Sequence, residues 1–285
     1  MAHREVDKME EIRNILGINT APAFDFVAWE KQKAEDYNAS AGHLNEKDGY
    51  DCPICKNKGD MMMVEVVDGW ARPRMRECKC MAMRYTIARM KRSGLQNIIT
   101  DCTFDKYEEL DPWHTSVKKR AMEYAANPAG WFFIGGQSGA GKSHLCTAIC
   151  RAALLRGERV QYMMWVDDAA QLKGIVNEGS EYTREVERFK KAPVLYIDDL
   201  FKVQNDQGQN RQKPTPADVR LAFEIINYRV VSKLPTIISS EFTLAELVDI
   251  DQAVAGRIAE MAGFNAINIT PDISKNYRLR KVVTV

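Results

Sequence analysis

The sequence has no stretch of about 18 consecutive apolar residues, so it lacks a segment that could cross a bilayer as a helix. Its first residues, MAHREVDKMEEIRN, are charged and contain no apolar stretch, which argues against a secretory signal. Positive and negative side chains nearly balance, with 40 Lys plus Arg against 39 Asp plus Glu, which argues against a protein that binds nucleic acid by bulk charge. We therefore expect a cytoplasmic protein without a membrane partner.

The 285 residues leave room for one large domain or two smaller ones, and 45% of them are hydrophobic, enough for an ordinary core. Beyond about residue 93, apolar runs with strand character alternate with helical stretches. These runs are 131–134, 159–165, 194–197, 235–240 and 266–269. The alternation predicts an α/β fold with a parallel sheet flanked by helices on both faces.

Residues 136–143 match the phosphate-loop pattern G-x-x-x-x-G-K-[ST]. The apolar run WFFI precedes the match and a helical stretch follows it, as the pattern requires. Glycines let backbone amides turn toward phosphates, and the helix amino terminus adds positive potential. We expect Lys142 to bind the β- and γ-phosphates of ATP and Ser143 to bind Mg²⁺. The alternative is a glycine-rich turn that matches by chance.

The predicted nucleotide-contacting residues continue one position beyond the pattern. They are Gly136, Gln137, Ser138, Gly139, Ala140, Gly141, Lys142, Ser143 and His144.

Two further strands are predicted to end at the same site. The run 194–197 is followed by Asp198 and Asp199, of which the first would hold Mg²⁺ and the second would orient or activate the attacking water. The run 235–240 ends in Ser239 and Ser240, and ligands of parallel sheets bind at the carboxyl ends of the strands. Either hydroxyl could reach the γ-phosphate, or both could only cap the following turn; we take Ser240 as the catalytic candidate.

Four of the seven cysteines form two close pairs, Cys52/Cys55 and Cys78/Cys80. Two such pairs suit a tetrahedral Cys₄ zinc site, which would be structural because four thiolates leave no open position. A module this small has little core, so the metal would supply much of its folding free energy. The alternative is a set of incidental thiols.

Taken together, the phosphate loop, the Ile197-Asp198-Asp199 strand end, the Ile-Ile-Ser-Ser run and the closing Asn276-Tyr-Arg-Leu-Arg resemble AAA+ ATPases. Among these, the chain resembles the replicative-helicase loaders of the DnaC/DnaI type and the related IstB-like ATP-binding proteins. The resemblance covers residues 94–285 and extends to the cysteines, because several loaders carry an amino-terminal zinc module.

The resemblance implies an ATPase site that is completed between self-associated subunits. It assigns the arginine finger to Arg257 and a second sensor arginine to Arg278. The predicted catalytic residues are thus Lys142, Asp198, Asp199, Ser240, Arg257 and Arg278. The residue after the serine pair is often Asn in such proteins, whereas here it is Glu241. The 22 residues after Gly263 leave no room for a carboxyl-terminal lid domain, which fits a loader rather than an initiator.

The predicted organisation has three parts: a helical segment (1–45), a zinc-binding module with a basic linker helix (46–93) and an AAA+ ATPase domain (94–285). The predicted partners are a hexameric replicative helicase, single-stranded DNA and further copies of the chain. Eight basic residues between 72 and 92 either follow single-stranded DNA phosphates or form a solvated connecting helix.

Three other functions remain open at this point. One is an IstB-like transposition helper, which would bind double-stranded DNA and a transposase. Another is a zinc-dependent adaptor that binds nucleotide without turnover. The third is a small-molecule kinase with a phosphate loop, which the absence of a recognisable substrate lid makes less attractive.

Overall fold

A computed structural model of the chain describes residues 25–92, 98–203 and 213–279. Most of the predicted helical segment 1–45, namely the part before residue 25, and the predicted domain boundary between residues 93 and 94 lie outside the described residues. The described residues divide into a smaller compact unit, 25–42 with 53–78, and a larger one, 43–52 with the described part of 79–279. The three-part organisation given above stays a prediction.

The helices with described residues are α1 (Phe26–Ala39), α2 (Leu44–Asp48), α3 (Cys80–Arg92), α4 (Ile98–Asp101), α5 (Pro112–Ala126), α6 (Lys142–Leu155), α7 (Trp165–Gly174), α8 (Ser180–Lys190), α9 (Pro216–Val231), α10 (Leu244–Ile250) and α11 (Gln252–Ala262). The strands are β1 (Asp60–Val67), β2 (Trp70–Glu77), β3 (Trp131–Gly136), β4 (Val160–Met164), β5 (Val194–Leu200), β6 (Thr236–Ser240) and β7 (Ala266–Ile269). Short 3₁₀ turns cover Gly263–Asn265 and Ile273–Lys275. No described helix is long and apolar enough to pass through a bilayer.

In the smaller unit, β1 and β2 form an antiparallel hairpin with helix α1 beside it. The turn residues Asp68 and Gly69 have φ angles of 52° and 79°, the left-handed conformation that a two-residue hairpin turn requires. The Tyr37 hydroxyl donates to the Asp60 carboxylate at 2.5 Å. The Asn38 side chain exchanges two hydrogen bonds, both 2.9 Å long, with the backbone of Met62. These bonds hold the end of α1 against the hairpin.

In the larger unit, five parallel strands form one sheet in the order β4-β5-β6-β3-β7. All five predicted strands are present, so the predicted α/β fold with a parallel sheet flanked by helices is confirmed. Strand side chains alternate between two buried layers: Trp131 and Phe133 face one layer, while Phe132 and Ile134 face the other. The strands are therefore mostly apolar on both faces, as expected for a sheet covered on both sides, and the aspartates of β5 and the serines of β6 lie at their carboxyl ends.

Local capping sequences start the helices that surround this sheet. Thr215 and Asp218 form a reciprocal capping box at the start of α9, with Pro216 in the first turn. Thr243 and Glu246 form a second capping box at α10. Because β6 lies between β5 and β3, the ends of these three strands bring residues from distant parts of the sequence to one edge of the sheet.

Candidate functional site

The phosphate loop joins the end of β3 to the start of α6. Gly136, Gly139 and Gly141 have φ angles of 114°, 76° and 79°, a region that side chains with a Cβ rarely adopt. A Cβ at Gly136 would lie 2.1 Å from the carbonyl oxygen of Ile269. Helix α6 begins after Gly141 without a side-chain cap, so its first amides remain available to an anion.

Lys142 is the first residue of α6, and only 6% of its surface is exposed to solvent. Its ammonium donates to the carbonyl oxygens of Gly136 and Gln137 at 2.9 and 2.8 Å. Burial lowers the pKa of Lys142, although the carboxylates of Asp199 and Glu241 act in the opposite direction. In this state the loop's lysine therefore closes the loop on itself, in the place where phosphate oxygens would accept the same bonds.

Asp198, at the end of β5, accepts hydrogen bonds from hydroxyls of four separate segments. The Ser143 hydroxyl donates to its Oδ1 at 3.1 Å, and the Ser239 hydroxyl donates to the same atom at 2.5 Å. Tyr196 donates to Oδ1 at 2.7 Å, and Tyr162 donates to Oδ2 at 2.9 Å. These bonds fix the carboxylate beside the first turn of α6.

The donor set at Ser143 and Asp198 fits a magnesium ion. Mg²⁺ binds oxygen ligands at about 2.0–2.1 Å with octahedral geometry, which places neighbouring ligand atoms about 3 Å apart. Ser143 Oγ and Asp198 Oδ1 are 3.1 Å apart, and both are hard oxygen ligands. Residues of this chain can therefore supply two neighbouring positions of one Mg²⁺ shell.

Asp199 lies next to Asp198 in a left-handed backbone conformation with φ 55°. Its amide donates to the Ser239 hydroxyl at 3.0 Å, and its carboxylate accepts from the Lys202 ammonium at 2.9 Å. Lys202 also lies 3.2 Å from Glu241. Burial and the charge of Asp198 raise the pKa of Asp199, whereas Lys202 counteracts that shift. The carboxylate is thus held by a cation before any ligand arrives.

The two serines at the end of β6 have different surroundings. Ser239 bonds Asp198 and the amide of Asp199, as described above. Ser240 is fully buried, donates to the carbonyl of Leu200 at 2.8 Å and accepts from the amide of Phe242 at 3.1 Å. The Ser240 hydroxyl is thus engaged with backbone, and the catalytic role given to it above stays a prediction.

The residues after β7 return to the phosphate loop. The Tyr277 amide donates to the carbonyl of Gly139 at 2.9 Å, and the Asn276 side chain donates to the carbonyl of Ser138 at 3.2 Å. The amide of Asp272 donates to the side chain of Gln137 at 2.6 Å. This segment therefore holds the loop and places Arg278 at the cleft beside it.

A cleft of about 440 Å³ opens at this edge of the sheet. Six of the nine predicted loop residues line it, together with Asp199 and Arg278. They are Ser138, Gly139, Gly141, Lys142, Ser143 and His144. Gly136, Gln137 and Ala140 do not line the cleft: Gly136 and Ala140 are buried, and the half-buried Gln137 turns its side chain to the amide of Asp272.

Arg257 lies on α11 and does not line this cleft. Its Nε donates to Asn227 at 3.0 Å, and its guanidinium lies 4.7 Å above the ring of Phe223. A residue that acts on the site of a neighbouring subunit need not lie near its own, so this placement leaves the arginine-finger role as a prediction.

Sequence reasoning missed Tyr162 and Tyr196, whose hydroxyls hold Asp198. Tyr196 is two residues before Asp198 on one strand, so strand alternation places both side chains on the same face and could have identified it. Tyr162 has no local signal, because its place follows from the register of β4 with β5, which pairs it with Tyr196.

The sulfur atoms of Cys52, Cys55, Cys78 and Cys80 lie within 4.8 Å of one another, and all four residues are buried. Zinc binds four thiolates at about 2.3 Å, which places the sulfurs nearly 4 Å apart. The Gly59 amide also donates to the Cys55 sulfur at 3.3 Å, a contact typical of metal-bound thiolates. The cluster brings together the four predicted ligands and fits a zinc ion.

Comparison with known proteins now adds to this geometry. The family model of the IstB-like ATP-binding proteins matches residues 68–257, which is more than half of the chain. The chain belongs to the IstB-like ATP-binding protein family. Membership accounts for the phosphate loop and the Asp198 strand end as parts of an ATP-binding domain.

Two relatives come from Bacillus subtilis strain 168. The phage-like element PBSX protein XkdC is 30% identical over 74% of this chain and 79% of its own length, and the uncharacterized protein YqaM is 26% identical over 82% and 87%. The replicative helicase loader DnaC of Escherichia coli K12 is 27% identical over 56% of this chain and 62% of its own. A crystal structure of the DnaC helicase loader aligns with a TM-score of 0.48 at 22% identity, covering 57% of this chain and 94% of that one.

Proposed function

We propose that this IstB-like protein loads a replicative DNA helicase onto single-stranded DNA, and that it binds and hydrolyses ATP at a site completed between subunits. One observation carries the proposal. Ser143 of the phosphate loop and Asp198, 55 residues later, meet at 3.1 Å beside the second carboxylate, Asp199. The relation to DnaC helicase loaders supports helicase loading as the use of this site.

When ATP enters, the Lys142 ammonium exchanges the carbonyl oxygens of its own loop for β- and γ-phosphate oxygens. The first amides of α6 bind the same phosphates. Ser143 and Asp198 would hold the magnesium ion, which when bound neutralises charge on the phosphates. The hydroxyls of Tyr162 and Tyr196 keep the Asp198 carboxylate in place during this exchange.

Asp199 orients the attacking water and accepts its proton. Two contacts prepare it: Ser239 bonds its amide, and Lys202 bonds its carboxylate. Lys202 bonds Oδ2 of the carboxylate, so the attacking water would bond the other oxygen, Oδ1.

Arginine side chains from two subunits complete the site. Arg278 lies at the cleft of its own subunit and binds the phosphates there. Arg257 acts on the cleft of a neighbouring copy, where its cation stabilises charge that develops on the transferred phosphoryl group. Hydrolysis therefore depends on self-association, and release of the helicase follows hydrolysis. Zinc at the four cysteines has a structural role, because the four thiolates leave no ligand position open for substrate.

Native mass spectrometry with a candidate hexameric helicase tests the proposal directly. We expect a complex with helicase that forms with ATP, includes single-stranded DNA and contains one zinc per chain. Lys142→Ala should lower ATP turnover by at least about a hundredfold, since its cation contacts the transferred group. Lys119→Ala removes one charge from an exposed position of α5 and should leave turnover unchanged. Absence of any helicase complex, with and without ATP, contradicts the loader function.

A transposition helper is the second candidate, and the family model of IstB-like proteins favours it. It requires a transposase and double-stranded DNA in place of a helicase and a single strand. Presenting both DNA forms and both partner proteins in the same experiment distinguishes these two functions. An adaptor without turnover would bind ATP whichever DNA and partner are present. It would hydrolyse none, so Lys142→Ala would leave the ATPase rate unchanged.

A further inference from the structure

The hairpin of the smaller unit presents an unusual face. In the antiparallel register, Trp70 is opposite Val67, Arg72 is opposite Glu65, and Arg74 is opposite Met63. Residues directly opposite share a face, and alternate residues of a strand share a face, so Arg76 lies on it as well. Tyr37 of α1 bonds to Asp60, which points to the other face. Trp70, Arg72, Arg74 and Arg76 form what we call the arginine face.

All four side chains of the arginine face are exposed to solvent. Among the described residues, the one ion pair on this face joins Arg74 to Glu65 at 3.4 Å, and both partners are more than half exposed. Such a pair contributes little and yields easily to a competing anion. The protein as a whole is nearly neutral, with a net charge of +1. Three arginines in one row are therefore a local concentration of positive charge.

The spacing of the row suits a chain of phosphates. Alternate residues of a strand are about 6.6–6.8 Å apart along its axis, a step on the scale of one extended nucleotide. Arginine also binds phosphate with two parallel hydrogen bonds, so each side chain can hold one phosphate in a fixed orientation.

Trp70 adds an aromatic surface at one end of the row. Its side chain is 69% exposed, whereas Trp131 and Trp165 of the larger unit are fully buried. The tight turn at Asp68-Gly69 fixes the register that puts Trp70 on the same face as the arginines. A positive row beside an exposed aromatic ring is the combination that binds single strands without sequence preference, because any unstacked base can stack on the ring.

We propose that the arginine face binds single-stranded nucleic acid, with phosphates on the three arginines and a base stacked on Trp70. That the bound nucleic acid is DNA rests on the proposed function. That this face binds single-stranded nucleic acid is independent of it. A duplex would engage the arginines and leave Trp70 unused, since its bases are already stacked.

Fluorescence anisotropy of the full chain with a short labelled oligodeoxythymidine tests the proposal without ATP or helicase. This assay measures oligonucleotide binding alone. A failure of helicase loading would appear only in the separate experiment with helicase and ATP. The triple variant Arg72→Ser/Arg74→Ser/Arg76→Ser should weaken binding by more than about tenfold at low salt. It should also reduce the slope of log affinity against log salt by about 2, since each phosphate contact contributes about 0.7.

Trp70→Ala should weaken binding by between about fivefold and a hundredfold and leave the salt slope unchanged, because stacking releases no counterions. Trp70→Phe should retain most of the affinity. The triple arginine-to-lysine variant should restore the slope, which separates lost charge from lost folding. A matched control, Lys119→Ser/Arg120→Ser/Arg159→Ser, removes three exposed charges from the larger unit and should change the affinity by less than about twofold.

Several outcomes would overturn the proposal. These are unchanged binding in the arginine triple variant, an equal loss in the matched control, or equal binding of duplex DNA with no effect of Trp70→Ala. Full displacement of the oligonucleotide by polyglutamate at equal charge concentration would favour an acidic protein partner instead. Equal binding of oligouridine with the same variant pattern supports the proposal and shows that the face accepts RNA as well.

Discussion

The nucleotide cleft and the arginine face hold their charges in opposite ways. In the cleft, Lys142 already bonds two carbonyls and Asp199 already bonds Lys202. On the arginine face, the side chains project into water with one weak ion pair between them. A ligand of the cleft must therefore replace several buried bonds, which makes binding selective, whereas a ligand of the arginine face displaces water, counterions and one exposed ion pair. The two regions also draw their stability from different sources, and this difference can be tested.

Removal of zinc should produce the largest difference in stability between the hairpin that carries the arginine face and the sheet that carries the cleft. A structural zinc contributes on the order of 10 kcal/mol or more to a small module, whereas the sheet of the larger unit has an extensive apolar core. We expect Cys55→Ser, or a strong chelator, to unfold the hairpin and leave the sheet folded. Trypsin should then cut rapidly after Arg74 and Arg76, whereas Pro73 protects the bond after Arg72.

The control for the zinc experiment is Cys102→Ser, which changes a cysteine outside the cluster. It should retain one zinc per chain and the trypsin resistance of the hairpin. A zinc-free protein whose hairpin resists trypsin as well as the native protein does would show that the metal is not needed for this fold.

Two arginines test the difference between buried and exposed charge. Arg229 is fully buried and donates to the carbonyls of Phe189, Lys190, Ala192 and Pro235, at 2.6 to 3.0 Å. Two of these carbonyls belong to the last turn of α8, where no helix amide can reach them. Burial of the guanidinium lowers the pKa of Arg229 to about 9, so it is charged at neutral pH.

Arg229→Met should lower the free energy of unfolding by about 3–5 kcal/mol, because several buried carbonyls lose their donor at once. Arg74→Met, on the arginine face, should change it by less than about 0.5 kcal/mol. Urea unfolding of both variants at neutral pH measures the difference. Similar midpoints for the two variants would contradict the capping role of Arg229.

Ser239 and Ser240 provide the next comparison, inside the cleft itself. Ser239→Ala removes a donor to Asp198 and an acceptor for the Asp199 amide, so we expect about a tenfold loss of ATP turnover. Ser240→Ala removes a bond to backbone and should instead lower the free energy of unfolding by about 1 kcal/mol with turnover retained. Steady-state ATPase assays and thermal unfolding of both variants separate the effects. The reverse pattern would restore Ser240 as the catalytic serine.

Much of the larger unit could be predicted from the sequence because its signals are local. Each strand is rich in apolar residues, and the phosphate loop is a contiguous pattern bounded by a strand and a helix. The predicted cysteine ligands also come together, since their spacing is a local property. Contacts between distant segments could not be predicted in the same way. The sequence shows two adjacent serines but not which of them contacts Asp198. That depends on the position of β6 between β5 and β3, which brings Ser239 to Asp198.

The basic residues between 72 and 92 show the same limit. Arg72 and Arg76 lie on a strand, not on a connecting helix, and Arg84 is buried in an ion pair with Asp48 at 2.6 Å. A count of charges cannot distinguish an exposed arginine from one that is packed against a distant carboxylate. The hairpin register was needed to show which of the arginines share a face.

The smallest expected effect concerns Asp218, a buried carboxylate in the first turn of α9. Its carboxylate accepts from Lys173 at 2.5 Å and caps α9 through Thr215 at 2.9 and 2.6 Å. Burial raises the pKa of Asp218, but the bonds from Lys173 and Thr215 outweigh it and hold the pKa below the ordinary value. Because the folded state binds the proton more weakly than the unfolded state, the ionised carboxylate stabilises the fold above the unfolded pKa. This contribution is lost as the pH falls through the folded value.

Asp218→Asn should therefore lower the free energy of unfolding by about 1 kcal/mol at neutral pH, the usual value of a helix cap. The difference between native protein and variant should shrink as the pH falls from about 5 toward 3, because the native side chain then becomes neutral too. Urea unfolding at several pH values measures this convergence, and Asp249→Asn, in α10, serves as the carboxylate control that should show none. A difference that stays constant with pH would mean that the folded and unfolded states bind the Asp218 proton equally, which would contradict the lowered pKa.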